Sequence, residues 1–178
     1  TTRTGLVVPA PGPGTWQLEP SDAEAIVAEA LDLGVRHIDT TQMYGNEAAV
    51  GAALAASDVD RDEVFVTTRI DDHRHEPDDL VASVAESLRK LGTEHVDLLL
   101  VHGPVHWERM AATLHTVAQV HASGMAHHLG VSDFSVDQLE QVADLPPLEV
   151  LQVECHLYPQ QKELRAWCVE HDWVFTAY

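Results

Sequence analysis

Along the chain, the period of apolar positions switches repeatedly between the 3.6-residue repeat of an amphipathic helix and the short unbroken runs of buried strands. Ser21 and Asp22 open a stretch whose apolar face carries Ile26, Val27, Ala30 and Leu31, and Gly34 stops it, so a helix is predicted over 21–33. A short strand over 35–39 follows, then an alanine-rich helix over 46–56 and a strand over 63–70. The clearest amphipathic helix is predicted over 78–91, with Leu80, Val81, Val84, Leu88 and Leu91 inward and Gly92 at its end. Residues 96–101 form the kind of continuous apolar run expected of a parallel strand covered on both faces. Helix is then predicted over 107–122, strand over 129–131, and helix from the N-cap Ser135 to 143. Strand over 150–153, helix over 161–171 and strand over 174–177 complete the series.

Such alternation makes right-handed crossovers and a parallel sheet, and no linker or low-complexity segment divides residues 1–178 into more than one domain. No Gly-x-Gly-x-x-Gly follows the first strand, and Pro11-Gly12-Pro13-Gly14 leads into Thr15-Trp16 rather than into a phosphate-cradling helix. A closed barrel is therefore favoured over an open doubly wound sheet. Counting a short strand near 14–17, the chain supplies about seven of the eight strands of a (β/α)8 TIM-type barrel, which typically needs about 250 residues.

Composition narrows the partners. With 29 acidic and 10 basic side chains the formal charge is −19, which argues against nucleic acid and anionic membrane surfaces. No apolar run is long enough for a membrane span and no signal-like segment opens the sequence; with only Cys155 and Cys168 available, a reduced cytoplasmic setting is expected. The basic residues include only Lys90 and Lys162 as lysines. The carboxylate excess fits an ordinary acidic cytosolic protein first, with a protein of a salt-rich cytoplasm as the alternative.

In a parallel barrel, chemistry gathers at the carboxyl ends of the strands. Those ends carry Asp39 with Tyr44 just beyond, Arg69, His102, Ser132 with Asp133, Gln152 with Glu154 and His156, and Tyr178. A phenol, a carboxylate, a guanidinium and an imidazole suit proton transfer to a carbonyl oxygen: a fixed cation lowers the phenol's pKa, and a carboxylate holds the cation. Taken singly, each has an ordinary structural role, so the conjunction carries the argument.

The strings around these residues are specific. His37-Ile-Asp-Thr-Thr-Gln-Met-Tyr-Gly-Asn-Glu47, Val64-Phe-Val-Thr-Thr68, Val96-Asp-Leu-Leu-Leu-Val-His102, Leu129-Gly-Val-Ser-Asp-Phe134 and Gln152-Val-Glu-Cys-His156 with Gln160-Gln-Lys-Glu-Leu164 closely resemble the aldo-keto reductase family. The resemblance runs from Pro9 to Tyr178. It implies the (β/α)8 fold and reduction of small aldehydes or ketones by hydride from a nicotinamide dinucleotide, usually NADPH, with NADH left open. By the same resemblance, Tyr44 is the general acid, Asp39 the carboxylate behind it, and His102 the residue that orients the substrate carbonyl. Thr15, Ser132, Asp133 and Gln152 fall among the cofactor-binding positions, Tyr178 is the ring under the nicotinamide, and Trp16 walls the substrate pocket.

Three positions depart from the family pattern. Arg69 stands where the catalytic lysine is expected, and its fork aims its donors differently from an ammonium. Asp133 replaces an asparagine and, when ionised, can only accept hydrogen bonds. Pro13 removes a ladder donor at the entry to the first strand. The chain also ends inside a motif the family continues, so a C-terminally truncated barrel is expected, without the segment that grips the 2′-phosphate. Such a barrel keeps open edges near Trp16 and Phe175 and is expected to self-associate.

Two other classes compete. Twelve histidines, with His73-Arg-His75 in one loop, invite a metal-hydrolase reading, but that stretch is polar beside Glu76-Pro77 and is expected to be a solvated loop. His106 and His127-His128 show no spacing that compels a site, so no metal ligands are assigned. The second rival is a catalytically impaired barrel that binds a nucleotide or a partner; Arg69 favours it.

Overall fold

The structure, a computed structural model, describes residues 5–178. Six strands, β1 (His37–Asp39), β2 (Phe65–Ile70), β3 (Val96–Val101), β4 (Ala126–Ser132), β5 (Leu148–Val153) and β6 (Val174–Ala177), form one parallel sheet in sequence order. Helix α1 (Pro20–Asp32) precedes β1, and α2 (Glu47–Ala56), α3 (Pro77–Leu91), α4 (Met110–Ala122), α5 (Val136–Val142) and α6 (Lys162–Glu170) fill the crossovers. Each strand is added beside the last in the same direction, with none of the reversal that defines a doubly wound sheet. The sheet curls into part of a (β/α)8 barrel.

Alternation along the strands gives the sheet two different faces. The outer face, with Leu99, Val101, Leu129 and Val131, packs against the helices and holds most of the core. The inner face carries a smaller cluster of Leu6, Leu98, Leu100 and Val150, with Phe65 and Val174 against it. Gly130 is required here, because a Cβ would collide with the Val150 carbonyl and the Leu100 side chain.

The helices end where their punctuation says. Gly92 closes α3 at φ 67°, a left-handed value at which glycine has no Cβ penalty. Ser135 caps α5 through a reciprocal capping box with Gln138. Several bounds differ from the sequence pattern. Helix α1 begins at Pro20, which suits the first turn, so Ser21 lies inside it and Glu19 is the N-cap. Residues 107–109 form a separate 3-10 turn ahead of α4, and β4 extends back to Ala126.

The expected first strand over 14–17 is reduced to one bridge, Gly14 with Asp39, held by Thr15 N–H to Asp39 O (3.1 Å) and Asp39 N–H to Pro13 O (3.1 Å). Pro13 has no N–H to continue the ladder, and Gln17 turns the chain away at φ 58°. The loop after β2 also differs from expectation. His75 is 5% exposed, buried rather than solvated, while His73 beside it is exposed.

Candidate active site

The register that lines up Asp39 with Thr67, Arg69 with Leu100, and Ser132 with Gln152 puts these side chains on the sheet's inner face near the carboxyl ends of the strands. There Arg69, Asp39 and Gln152 close a ring. Arg69 Nη2 donates to Asp39 Oδ1 (2.6 Å), Nε donates to Gln152 Oε1 (2.9 Å), and Gln152 Nε2 donates to Asp39 Oδ2 (2.8 Å). Arg69 Nη2 also reaches Gln152 Oε1, and Nη1 donates to the Thr40 carbonyl (2.9 Å). All three side chains are buried. A buried ion pair persists only when its remaining donors and acceptors are met, as they are here.

Tyr44 sits at the end of a 3-10 turn, Gln42–Tyr44, that Gly45 terminates at φ 69°. It is half-buried, and no donor of Arg69 is directed to it. Burial pushes its phenol above the usual pKa of 10.0; the Arg69 charge opposes the rise, and Asp39 and Asp133 add to it. His102, just past β3, is half-buried, and burial lowers its pKa below 6.5 against the pull of Asp72. Its Nδ1 is buried with no partner among the described residues. Both directions favour the uncharged form, an imidazole at His102 and a phenol at Tyr44.

The third group lies at the ends of β4 to β6. Asp133 adopts φ 59°, a conformation asparagine and aspartate tolerate better than most residues, and its N–H is held by the Gln152 carbonyl (3.0 Å). Both carboxylate oxygens accept from Tyr178 Oη (2.9 Å each). Burial raises the Asp133 pKa, against the Tyr178 hydrogen bond, and the Tyr178 phenol is pushed up to about 12 by burial and by that carboxylate. The Tyr178 ring is 56% exposed. Ser132 is buried, with no hydrogen bond from its hydroxyl to any described residue.

Two further candidates lie in the loop that follows Gly14. Thr15 is buried, and its hydroxyl is committed to Thr40 Oγ1 (2.9 Å) and Asn46 Oδ1 (3.2 Å), which ties this loop to the end of β1. Trp16 next to it is 65% exposed.

The family model for the aldo/keto reductase family matches residues 10–178. The chain belongs to the aldo/keto reductase family. It is 35% identical to aldo-keto reductase family 1 member A1 of Rattus norvegicus over 202 residues, covering 99% of this chain and 62% of that protein. An aldo/keto reductase of Synechocystis is also 35% identical, over 98% of this chain and 61% of its own length. The chain thus spans a little over three-fifths of these relatives. Among solved structures, an aldo/keto reductase from Brucella melitensis superposes with TM-score 0.93 at 34% identity, covering 99% of this chain and 70% of that one. An aldo-keto reductase from a Medee basin deep-sea metagenome gives 0.93 at 32% identity, over 99% and 66%.

Sequence reasoning missed the support beneath the site of this family member. Glu47, at the first turn of α2, is buried and accepts from Thr68 Oγ1 (2.8 Å) and Ser87 Oγ (3.2 Å), and burial raises its pKa. Asn46 spans the loop through Thr15 O (2.9 Å) and Leu18 O (3.1 Å). In the loop after β2, set aside from the sequence as solvated, Asp72 Oδ1 and both His75 ring nitrogens are buried without partners among the described residues, and Asp72 acts electrostatically on both His75 and His102. Among the described residues, no helix is long and apolar enough to cross a membrane.

Proposed function

We propose that this chain carries the catalytic side of a nicotinamide-dependent carbonyl reductase, in which Tyr44 protonates the oxygen of a small aldehyde or ketone. The observation supporting this reading is the buried Arg69–Asp39–Gln152 ring at the strand ends, with Tyr44 and His102 both within the electrostatic reach of Arg69. NADPH is the proposed dinucleotide, with NADH as the other member of the same class. The residues at the nicotinamide end fit such a group: the Tyr178 ring is open to a stacking partner, Ser132 has an uncommitted hydroxyl, and Asp133 can accept from an amide NH2. Gln152, by contrast, already spends its amide on Arg69 and Asp39.

When bound, the nicotinamide supplies hydride to the carbonyl carbon. The chain's own residues do the rest. The His102 imidazole, neutral through burial, hydrogen-bonds the carbonyl oxygen and sets its angle. Tyr44 then gives its proton to the nascent alkoxide. Arg69 stabilises the resulting phenolate through space, and Asp39 holds Arg69. The proton moves from Tyr44 Oη to the substrate oxygen, and bulk water restores it. We place this chemistry in the cytoplasm.

A second reading, a barrel that binds the dinucleotide without turnover, is favoured by one observation. Every hydrogen bond that Arg69 makes goes to Asp39, Thr40 or Gln152, and none to Tyr44. NADPH titration by quenching of intrinsic fluorescence, followed by reduction assays on a panel of small aldehydes, separates the two. Binding with turnover that Tyr44→Phe abolishes supports the reductase; binding without turnover supports the binding barrel. Turnover by Tyr44→Phe at the parent rate overturns the assignment of the acid.

A further inference from the structure

The opposite end of the barrel holds a second constellation that the activity does not use. Asp97 is the second residue of β3, His127 the second of β4, and His95 immediately precedes β3. The β3–β4 register aligns Val96 with Ala126 and Leu98 with His128, so Asp97 falls beside His127. The two-residue period puts His95 on the same side as Asp97. The His95 and His127 rings stack with centroids 4.0 Å apart and planes 22° from parallel. One ligand atom from each of the three residues lies within 4.8 Å of the others.

We propose that His95, Asp97 and His127 form a binding site for a divalent transition-metal ion of the zinc class, at the amino-terminal end of the strands and remote from the reductase site.

The donor set argues for this class of ion. Two imidazoles and one carboxylate suit zinc, copper or nickel, whereas magnesium and calcium take oxygen ligands. Asp97 Oδ2 is held by Arg61 Nη2 (3.0 Å) and by the Val66 N–H (2.8 Å), which leaves Oδ1 without a donor among the described residues. Those two contacts fix the carboxylate from behind, as outer partners do in built metal sites. Arg61 is itself anchored on the Val64 carbonyl (2.6 Å) and the His95 carbonyl (3.0 Å), so one side chain braces two of the three ligands. Neither His95 nor His127 spends a ring nitrogen on a hydrogen bond to a described residue. Tetrahedral zinc, at about 2.1 Å from each ligand, needs ligand atoms about 3.4 Å apart. Closing the gap from 4.8 Å requires the half-buried His95 and exposed His127 rings to rotate onto the strand-fixed carboxylate. The bound ion would cross-link the starts of β3 and β4, with water in the fourth position.

The test titrates the metal-stripped 178-residue chain with Zn²⁺ against a chromogenic chelator, and repeats the titration with Co²⁺, whose visible absorption reports coordination geometry. Zinc is expected to bind at one saturable equivalent, and Co²⁺ to show the intense bands of a four-coordinate site. His127→Ala removes an exposed ligand and should weaken that equivalent at least tenfold with unchanged circular dichroism; His95→Gln should do the same. His73→Ala, in the exposed loop beyond β2, serves as the control and should bind like the parent. Absence of a saturable equivalent in the parent overturns the proposal, as does an equivalent that survives His127→Ala undiminished.

Discussion

Replacing Arg69 with lysine tests the site's stability and its chemistry together. The guanidinium uses three nitrogens: Nε to Gln152, Nη1 to the Thr40 carbonyl, and Nη2 to both Asp39 and Gln152. An ammonium is a single donor centre on a shorter reach. It can keep Asp39, but cannot also span to Gln152 and the Thr40 carbonyl in the same geometry. Losing the charge-assisted contacts to these two partners, at about 1.5–3 kcal/mol for each partner, with part recovered as the Gln152 amide rotates, gives a net destabilisation of about 2–4 kcal/mol. Urea unfolding of the two proteins reads this directly. The same change frees Gln152 Oε1 and restores a compact charge beside Tyr44. Reduction of a small aldehyde should therefore rise at least tenfold, on the order of 1.4 kcal/mol in barrier. A variant that unfolds within about 0.5 kcal/mol of the parent would refute the claim that the ring of contacts holds this end of the barrel. A variant that loses stability and also activity would show that Asp39 and its neighbours are adapted to the fork.

Further outcomes follow from the same geometry. Burial raises the Glu47 pKa above 4.5, so its contribution to stability is complete below that pH and is lost as pH rises through the raised value; Glu47→Gln should flatten this decline in denaturant midpoints measured from pH 4.5 to 8. His37, His75 and His102 have lowered values, so their contribution is present above pH 6.5 and is lost as pH falls through the depressed ones. His75→Leu, which removes two buried unpartnered nitrogens, should be at least as stable as the parent and should soften that acid limb in the same titration. Gly51→Ala should cost about 1–3 kcal/mol, because its Cβ would strike the Lys90 carbonyl and Leu91 at the end of α3; a shift in urea midpoint below about 0.5 kcal/mol would count against that packing. Expressed as these 178 residues, with β1 and β6 at the margins of the sheet, the protein should self-associate, and a sedimentation coefficient of a compact monomer at all concentrations would contradict this.

The sequence by itself determined the element order, the parallel sheet and the family. Helix and strand differ in apolar period, and runs such as residues 96–101 and 78–91 state theirs without ambiguity. It also determined which residues stand at the strand ends, because Asp39, Arg69, His102, Ser132 and Gln152 each close or follow an apolar run. Tertiary structure decided what those residues do to one another. Arg69 and Gln152 are far apart in the chain, and only the curl of the sheet brings the guanidinium onto the amide, so that its hydrogen bonds go there rather than to Tyr44. The depth of His75, the reduction of the first strand to one bridge, and the meeting of His95, Asp97 and His127 were likewise decided in three dimensions. The physical reason is common to all of them. Local pattern records which face of an element is apolar, whereas hydrogen-bond partners, burial and ligand distances depend on register and packing between elements whose sequence separation carries no period.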